Sequence, residues 1–392
     1  MKLITFGLAA LLIAVTSATI QPSRRASNPP AARVLLGSVE HIYVADFFPS
    51  INMWFITLMK KVPGTPSWMT FMPPNRLYAA DASSTTLRVF DLDLQNNTLE
   101  LKRESQASSG VVHLQFNADK TRLIGSAYGA GTIDVWDIEG GNLDLLKTIR
   151  SPGKLGPNAE RQSAPHPHQA TFDPTGSFLV VNDLGTDSII IIDGRDDRYE
   201  ILDNIYAKPS GCGPRHGVFY PQGSAKATHY IIICELSNQV LVYSVTYDTD
   251  RLSLQQVQDI PAFGPKFPPK DDLTTASSAI ILSPDNKDLY ISNRLTGMRI
   301  DTVTQFRLCQ SNCSFPQLTY ARTTSTGGIV PRMISFSQDG EYIFAGNQNE
   351  GFGLVALRRD KDGTLQNRRV AQIRASIFGE KGSGPQFVKQ IA

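Results

Sequence analysis

Charge and cysteine are both scarce in this sequence of 392 residues. Lys and Arg number 38 against 36 Asp and Glu, which gives a formal net charge of only +2. Such a balance, without a basic run interleaved with aromatics, excludes a phosphate-backbone binder, so we expect no nucleic-acid partner. The four cysteines are too few for a disulfide scaffold. They form no CxxC pair and no His/Cys ligand spacing, so we expect no metal site.

Long apolar runs are also scarce, and the clearest one lies at the N-terminus. A basic Met1-Lys2 precedes an apolar stretch of about 13 residues, and small residues suited to signal peptidase follow at 16–18. This stretch is shorter than the roughly 20 residues that span a bilayer. We therefore predict a secreted protein, free of the membrane once its signal is removed. The segments are a signal peptide (1–18), a linker or short pro-segment (19–32) and one domain (33–392).

Secretion gives meaning to two glycosylation motifs and to the cysteines. Asn96 and Asn312 each begin an Asn-X-Ser/Thr motif and are predicted to be glycosylated. Cys309 and Cys313 lie in a polar stretch, and we predict a small disulfide ring between them. Cys234 lies inside an apolar run, where a buried free thiol is the simplest interpretation. The pairing of Cys212 is left open.

Helical periodicity is weak throughout, and a repeat of strand patterns takes its place. An alternating strand, a turn rich in Pro, Asp and Gly, and two further apolar strands recur at intervals of 45 to 63 residues. Four-stranded units at such a period are typical of a β-propeller. The copies align on one bulky apolar residue each: Phe71, Phe116, Phe172, Phe219, Leu282 and Phe336.

The two ends of the chain supply a further copy of the repeat. Residues 384–388 repeat the start of a unit, with Phe387 aligned on Phe336, and residues 34–58 supply the other strands. We predict an all-β fold, a seven-bladed β-propeller whose last blade is closed by N- and C-terminal strands. Six blades is the alternative, because the first unit is irregular. The Trp-Asp dipeptide of WD repeats occurs once, at 136–137, without a Gly-His partner, so a WD scaffold is rejected.

Polar residues recur where the repeated strands begin and end. The innermost strand of each propeller blade lines the central channel, so we expect these residues to meet in one funnel. Arginine there binds carboxylate or phosphate, and a neighbouring histidine or glutamate can move a proton. His113 and His229 lie in predicted strands without such neighbours and are not included. The residues expected at the funnel are His166, His168, Asn182, Asp183, Arg215, His216, Glu235, Asn293, Arg294, Arg332, Asn347 and Gln348.

At these positions the sequence resembles the lactonase family of seven-bladed propellers. The motifs are Pro-His-Pro-His-Gln (165–169), Gly-Pro-Arg-His (213–216), Glu235 after an apolar strand, Ser-Asn-Arg (292–294) and Gly-Asn-Gln (346–348). The family contains bacterial 6-phosphogluconolactonase and fungal 3-carboxy-cis,cis-muconate lactonizing enzyme, and the resemblance extends from about residue 67 to 386. It implies four catalytic residues, His168, Arg215, Glu235 and Arg294. It also implies four substrate-binding residues, His216, Asn293, Arg332 and Gln348.

The resemblance implies chemistry without metal or cofactor on a small organic acid or lactone. Our main expectation is a cycloisomerase, in which Arg215 and Arg294 hold carboxylates while His168 or Glu235 delivers a proton as a lactone ring closes. The first alternative is a lactonase, in which the same arginines hold an anionic tail and His168 or Glu235 activates water. The sequence has no Gly-x-Ser-x-Gly nucleophile motif, which disfavours a covalent mechanism.

Two further alternatives follow from the predicted signal peptide, because the named enzymes act on intracellular metabolites. A secreted, fungal member of the family could cyclise a secondary-metabolite precursor. It could also be a non-catalytic secreted glycoprotein with a binding role. Fold alone does not decide between them.

Overall fold

The computed structural model describes residues 29–265, 267–270, 274–309 and 316–392. Within these ranges, 28 β-strands form seven four-stranded sheets, and residues 31–392 make one compact unit. Three short 3-10 turns accompany them, at Pro49–Ile51, Glu139–Gly141 and Ala375–Phe378. The all-β, seven-bladed fold is thereby confirmed and six blades is wrong. In the described part of the chain, no helix has the length and apolarity needed to cross a membrane.

Four predictions lie wholly or partly outside the described residues. The signal peptide at 1–18 and most of the linker at 19–32 belong to the first 28 residues, which are not described. Asn312 and Cys313 are not described either. Glycosylation of Asn312 and the Cys309–Cys313 bridge therefore stay predictions.

Each blade is a four-stranded antiparallel sheet that radiates outward from the central channel. The first blade takes three strands from the start of the described chain, β1 (Ala32–Ser38), β2 (His41–Phe48) and β3 (Met53–Lys61). The second to fourth blades run from inner to outer strand as β4 (Pro66–Met72), β5 (Arg76–Asp81), β6 (Thr86–Asp93), β7 (Thr98–Gln106); β8 (Val111–Phe116), β9 (Arg122–Ala127), β10 (Thr132–Asp137), β11 (Asp144–Arg150); β12 (Pro167–Phe172), β13 (Phe178–Asp183), β14 (Ser188–Asp193), β15 (Ile201–Tyr206).

The fifth to seventh blades repeat this order, and one final strand returns to the first blade. They consist of β16 (Pro214–Tyr220), β17 (His229–Cys234), β18 (Gln239–Tyr247), β19 (Leu252–Pro261); β20 (Ala276–Leu282), β21 (Asp288–Arg294), β22 (Thr302–Leu308), β23 (Leu318–Ser325); β24 (Pro331–Phe336), β25 (Tyr342–Asn347), β26 (Phe352–Arg359), β27 (Leu365–Arg374). The last strand, β28 (Phe387–Gln390), is the innermost strand of the first blade.

The ring is closed by strand pairing between the two ends of the described chain. Strand β28 pairs antiparallel with β1, with Val388 opposite Leu36 and Phe387 opposite Gly37. Phe387 and Val388 are almost completely buried. The Gln386 backbone N–H donates to the Gly37 carbonyl at 2.8 Å. The predicted closure by N- and C-terminal strands is confirmed.

The middle strands of the blades explain the strong apolar signal in the sequence. Strands β13 and β14 are buried along their whole length, because each faces an adjacent blade on both sides of its sheet. Outer strands such as β7 are exposed on most residues and carry charge. A strand buried on both faces gives a continuous apolar run, and a strand with one solvated face does not.

A β-bulge near the start of the inner strands determines which side chains face the channel. In β12, β16 and β24 the pairing shifts directly after the first residue, a proline. Proline tolerates this position because it has no N–H to give to a ladder. The residues left unpaired are His168, Arg215 with His216, and Arg332. A bulge re-aims the extra side chain, which places these residues at one end of the channel.

The structure corrects the interpretation of Cys234 as a free thiol. Cys234 forms a disulfide with Cys212, and both are fully buried. Antiparallel β16 and β17 bring the two segments together, with Pro214 opposite Cys234. A separation of 22 residues could not reveal this pairing, because it depends on the register of the two strands.

Candidate active site

A cavity of about 240 Å³ lies at the end of the channel where the inner strands begin. Four predicted site residues, His168, Glu235, Arg294 and Arg332, contribute to its wall, so the fold brings together residues up to 164 positions apart. The complete lining is Val112, Tyr128, Arg161, His168, Glu235, Ala276, Arg294, Leu295 and Arg332.

Glu235, which directly follows β17, is a buried carboxylate surrounded by three arginines. Arg161 donates a hydrogen bond from Nη2 to Oε1 at 2.6 Å. The other oxygen, Oε2, lies 2.8 Å from Arg215 Nε and 2.8 Å from Arg294 Nη2. Burial acts to raise the pKa of Glu235, but the three positive charges outweigh it and hold that pKa well below its usual range. The Glu235 carboxylate therefore stays ionised at neutral pH.

Arg215 lies beneath the cavity and is committed to protein groups. Its side chain is 2% exposed, and its Nη1 donates to the Ser278 carbonyl and lies 3.3 Å from the His216 ring nitrogens. Burial and the charge of Arg294 lower the pKa of Arg215, and the Glu235 carboxylate opposes that shift. Arg215 thus supports the site from below, and it is absent from the cavity wall.

Arg332 lines the cavity with an uncompensated charge. Within the described ranges, no hydrogen bond or ion pair holds its guanidinium to another residue, although its backbone carbonyl accepts from Ser278. Burial and the neighbouring Arg294 lower the pKa of Arg332 to about 10, so it remains protonated at neutral pH. The Nε of Arg294 is also buried without a partner in this part of the chain. Together these donors form a ready receptor for an anion.

His168 presents a neutral imidazole to the same cavity. It is 6% exposed, and its Nδ1 is buried with no hydrogen-bond partner among the residues described. Burial lowers the pKa of His168 well below its usual value, and the charges of Arg215, Arg332 and Arg294 lower it further. An unprotonated imidazole without a partner is able to accept a proton from a bound molecule or water.

A cluster of rings narrows the channel directly below the cavity. His168 lies 5.0 Å from His216 between ring centroids, His216 lies 5.5 Å from Trp68, and Trp68 contacts His113 and Phe387. The space left at this level is only about 10 Å³, close to the volume for one water. Burial lowers the pKa of His113 to about 3 and that of His216 well below its usual value. The histidine rings of this cluster are therefore unprotonated at neutral pH.

Sequence reasoning missed three residues of the site: Tyr128, Arg161 and His113. Tyr128 lines the cavity and stacks on His166, with ring centroids 4.2 Å apart. The predicted funnel residue His166 therefore lies next to Tyr128 and is itself absent from the cavity lining. Arg161 belongs to the connection between β11 and β12, whose polar composition hides it among solvated arginines. The interval between Phe116 and Phe172, longer than the intervals on either side of it, was the signal for this connection. His113 occupies the third position of its inner strand, as His216 does, and a register comparison would have found it.

Three predicted substrate-binding residues, His216, Asn293 and Gln348, are absent from the cavity lining, and His216 lies at the narrow level below it. Asn293 is fully buried inside the sixth blade, where its Oδ1 accepts from Ser277 and its Nδ2 donates to Thr304. Gln348 is absent from the cavity lining, and its backbone N–H donates to the Val330 carbonyl. The prediction for Asn293 is therefore corrected. Its amide fixes the end of the strand that carries Arg294.

A larger groove of about 730 Å³ lies between the fifth and sixth blades. Its described walls are apolar or uncharged, with Leu236, Phe263, Pro265, Phe306 and Tyr320 among them. It lacks the charged and proton-accepting groups of the smaller cavity. Of these two, the smaller cavity is the one in which charged and proton-accepting groups converge, which makes it the candidate active site.

The fold and the cavity define a class of protein: a seven-bladed propeller with an arginine-rich pocket at one end of its channel. The family described as "Lactonase, 7-bladed beta-propeller" matches residues 34–376. The chain belongs to that family, which confirms the resemblance inferred from the motifs.

Named relatives agree with this assignment. The chain is 33% identical to a protein of Arthroderma benhamiae named "Probable 6-phosphogluconolactonase", over 59% of this chain and 58% of that protein. It is 27% identical to the 6-phosphogluconolactonase of Bacillus subtilis, over 64% of this chain and 66% of that enzyme. The solved structure of the periplasmic gluconolactonase of Pseudomonas aeruginosa superposes with a TM-score of 0.75 at 20% identity, covering 92% and 99% of the two chains. This last likeness shows the fold alone.

Proposed function

We propose that the protein hydrolyses a lactone that carries an anionic group, and that the reaction takes place in the cavity beside Glu235. One observation carries this proposal. Within the described residues, the same cavity is lined by Arg332, whose guanidinium has no protein partner, and by His168, whose neutral imidazole has an unpartnered Nδ1. The names of the relatives favour lactone hydrolysis over the cyclisation that we expected first.

Binding rests on the arginines of the cavity wall. Arg332 and Arg294 offer donors that the protein leaves unused, and Arg161 adds a partly exposed guanidinium at 40%. Glu235 cancels one positive charge and holds Arg161 and Arg294 toward the same point. A phosphate or carboxylate bound here exchanges water for preorganised charge, which steers and orients a small anion.

Hydrolysis then needs one proton carrier. His168 accepts a proton from a water molecule as its oxygen attacks the lactone carbonyl, and an arginine of the wall stabilises the oxyanion. The ring C–O bond breaks, and His168 returns the proton to the leaving oxygen, so that lactone and water give one hydroxy acid. Glu235 is a poor carrier, because three arginines hold it ionised. We therefore assign it a positioning role.

The electrostatics of the site favour this sequence of events. In the free protein the cations beside His168 lower its pKa, which keeps the ring unprotonated. A bound anion neutralises part of that charge, and the pKa of His168 then rises toward its usual range. The histidine becomes a stronger base only once substrate is present.

The ionisation states argue against the cycloisomerase alternative. Closing a lactone on a double bond requires a proton donor for carbon. In the free protein at neutral pH, the His168 ring is unprotonated and Glu235 is ionised, so neither carries an acidic proton before substrate binds. Hydrolysis avoids this requirement, because His168 gains its proton from the attacking water.

The test compares two sugar lactones that differ by one phosphate group. Purified protein should accelerate ring opening of 6-phosphogluconolactone, followed by NMR above the uncatalysed rate, and should act far less on gluconolactone. A muconate-type acid is incubated in parallel. Lactone formation from that acid would restore the cyclase interpretation. An absence of turnover and of ligand-induced thermal stabilisation would favour the non-catalytic glycoprotein.

We also propose that the protein is secreted. The buried Cys212–Cys234 disulfide suits an oxidising compartment. Asn96 is exposed in the turn between β6 and β7, as a glycosylation acceptor must be. N-terminal sequencing of protein from the culture medium should begin near residue 19, and a mature chain that retains Met1 contradicts the proposal.

A further inference from the structure

The Cys212–Cys234 disulfide lies next to both members of the central ion pair. Cys212 is three residues before Arg215, and Cys234 directly precedes Glu235. All four residues are at most 2% exposed. The covalent link therefore joins the segment that carries the buried arginine to the segment that carries its carboxylate.

The backbone pairing between β16 and β17 is interrupted at Arg215, which forms the ion pair with Glu235. The N–H of Glu235 donates to the Gly213 carbonyl at 2.9 Å, and the N–H of Leu236 donates to the Cys212 carbonyl at 3.0 Å. Beyond Pro214, however, the ladder resumes only at Gly217. Arg215 thus lies in the bulge, where no strand pairing fixes its backbone relative to Glu235.

A further tether of the segment before Arg215 comes from the preceding blade. The carboxylate of Asp187 accepts the N–H of Gly213 at 2.8 Å and that of Gly211 at 2.5 Å. Gly213 has a φ of +61°, and a Cβ there would lie 2.5 Å from the Leu236 side chain. Asp187 therefore holds the turn from one side, and the disulfide holds it from the other.

Other blades use a carboxylate at the position of Cys234. In the second blade Asp81 lies opposite Pro66 and accepts the N–H of Thr65 at 2.9 Å. In the fourth blade Asp183 lies opposite Pro167 and accepts the N–H of His166 at 2.8 Å. A carboxylate at 234 would place a second buried negative charge beside Glu235 and compete for its arginines. A disulfide ties the same two segments without adding charge.

We propose that Cys212 and Cys234 are positioning residues, whose disulfide fixes the height of Glu235 relative to Arg215. Because Arg161 and Arg294 both contact Glu235, the bond also sets the direction of two arginines in the cavity wall. The kinetic part of this inference rests on the proposed lactone hydrolysis, whereas the geometric part does not.

The experiment compares C212A/C234A with C309A/C313A in the full chain, at a temperature where near-UV circular dichroism shows both to be folded. Cys309 follows the end of β22 at the opposite face of the propeller, which makes that pair a matched control. Loss of the Cys212–Cys234 bond should lower kcat/KM for 6-phosphogluconolactone roughly 100-fold, as misplacement of a supporting group does. The control should keep wild-type kinetics.

A second readout separates the geometry from the activity. In ¹⁵N NMR spectra, the Nε–H signal of Arg215 should shift and exchange faster in C212A/C234A but not in C309A/C313A. If wild-type protein hydrolyses no lactone, the proposed function fails while the NMR comparison still tests the positioning role. An unchanged Arg215 signal in C212A/C234A, with only a lower melting temperature, overturns the inference.

Discussion

His168, Arg215 and Arg332 occupy the same place in three inner strands, yet their surroundings give them different roles. Each follows the proline that begins its strand and lies in the bulge. Arg215 is held by Glu235 and Ser278. In contrast, the guanidinium of Arg332 and the Nδ1 of His168 have no hydrogen-bond partner in the described ranges. The repeated backbone therefore provides equivalent positions, and the neighbouring strand ends decide whether each side chain supports the site or binds in it.

The largest expected effect comes from removing the proton acceptor. His168→Gln should lower kcat for an anionic lactone by about 10² to 10⁴-fold, the range for loss of a general base, with little change in KM. Stopped-flow or NMR assays measure this. The control is His229→Gln, at the opposite end of β17 from Glu235, which should keep wild-type kcat. Equal losses in both variants would contradict the role of His168.

Removing the carboxylate beside the buried Arg215 should cost more stability than removing an exposed carboxylate. Glu235→Gln leaves Arg215 buried without a carboxylate, so the free energy of unfolding should fall by about 3–5 kcal/mol in urea titrations. The matched control is Glu104→Gln, which removes the 48%-exposed partner of Arg88 and should cost less than about 1 kcal/mol. A loss of similar size in the two variants would show that Glu235 does not anchor the site.

For Arg332 we expect the opposite result: its substitution should weaken anion binding without lowering stability. Arg332→Gln removes a cation that burial and Arg294 disfavour, so the free energy of unfolding should not decrease. The Kd for inorganic phosphate should rise roughly 10- to 100-fold by calorimetry, as expected for loss of a charged hydrogen bond. Arg198→Gln, at a surface ion pair, is the control and should leave phosphate binding unchanged. Destabilisation by Arg332→Gln without weaker phosphate binding would reverse the comparison with Arg215.

The smallest effect concerns His113, one of the unprotonated histidines below the cavity. The pKa of His113 is about 3 in the folded chain and about 6.5 in the unfolded chain, so the unfolded state binds more protons between these values. Stability should therefore fall as pH decreases below about 6.5, with a slope near 1.4 kcal/mol per pH unit from this residue. His113→Gln should flatten that slope in urea titrations between about pH 6.5 and 5. An identical slope in both proteins would refute the assignment.

The fold was predictable because its signal is repeated along the chain. Middle strands such as β13 and β14 are buried on both faces, and turn residues mark their ends. The weakest alignment was Phe387 on Phe336. Phe387 pairs with Gly37 as Met333 pairs with Gly346, which places the true equivalence three residues away. Strand β28 is short and offers too few residues to fix its own register.

The site was predictable only where a repeated position carried it. His168, Arg215 and Arg332 follow prolines at strand starts, so the repeat itself selected them. Arg161 comes from a connection without a repeated pattern, and only tertiary contact brings it 2.6 Å from Glu235. The Cys212–Cys234 bond depends on strand register, which local sequence does not encode.

The pairing of β28 with β1 has a consequence for synthesis. Strand β28 follows the 27 other described strands, so in a growing polypeptide the inner edge of β1 has no partner until residues 387–390 have emerged. Phe387, which contacts Trp68 at the floor of the cavity, arrives at the same moment. A nascent chain with six finished blades is thus still an open arc without a complete pocket. Such a distant contact also predicts slow final closure, during which the unpaired edge of β1 needs protection.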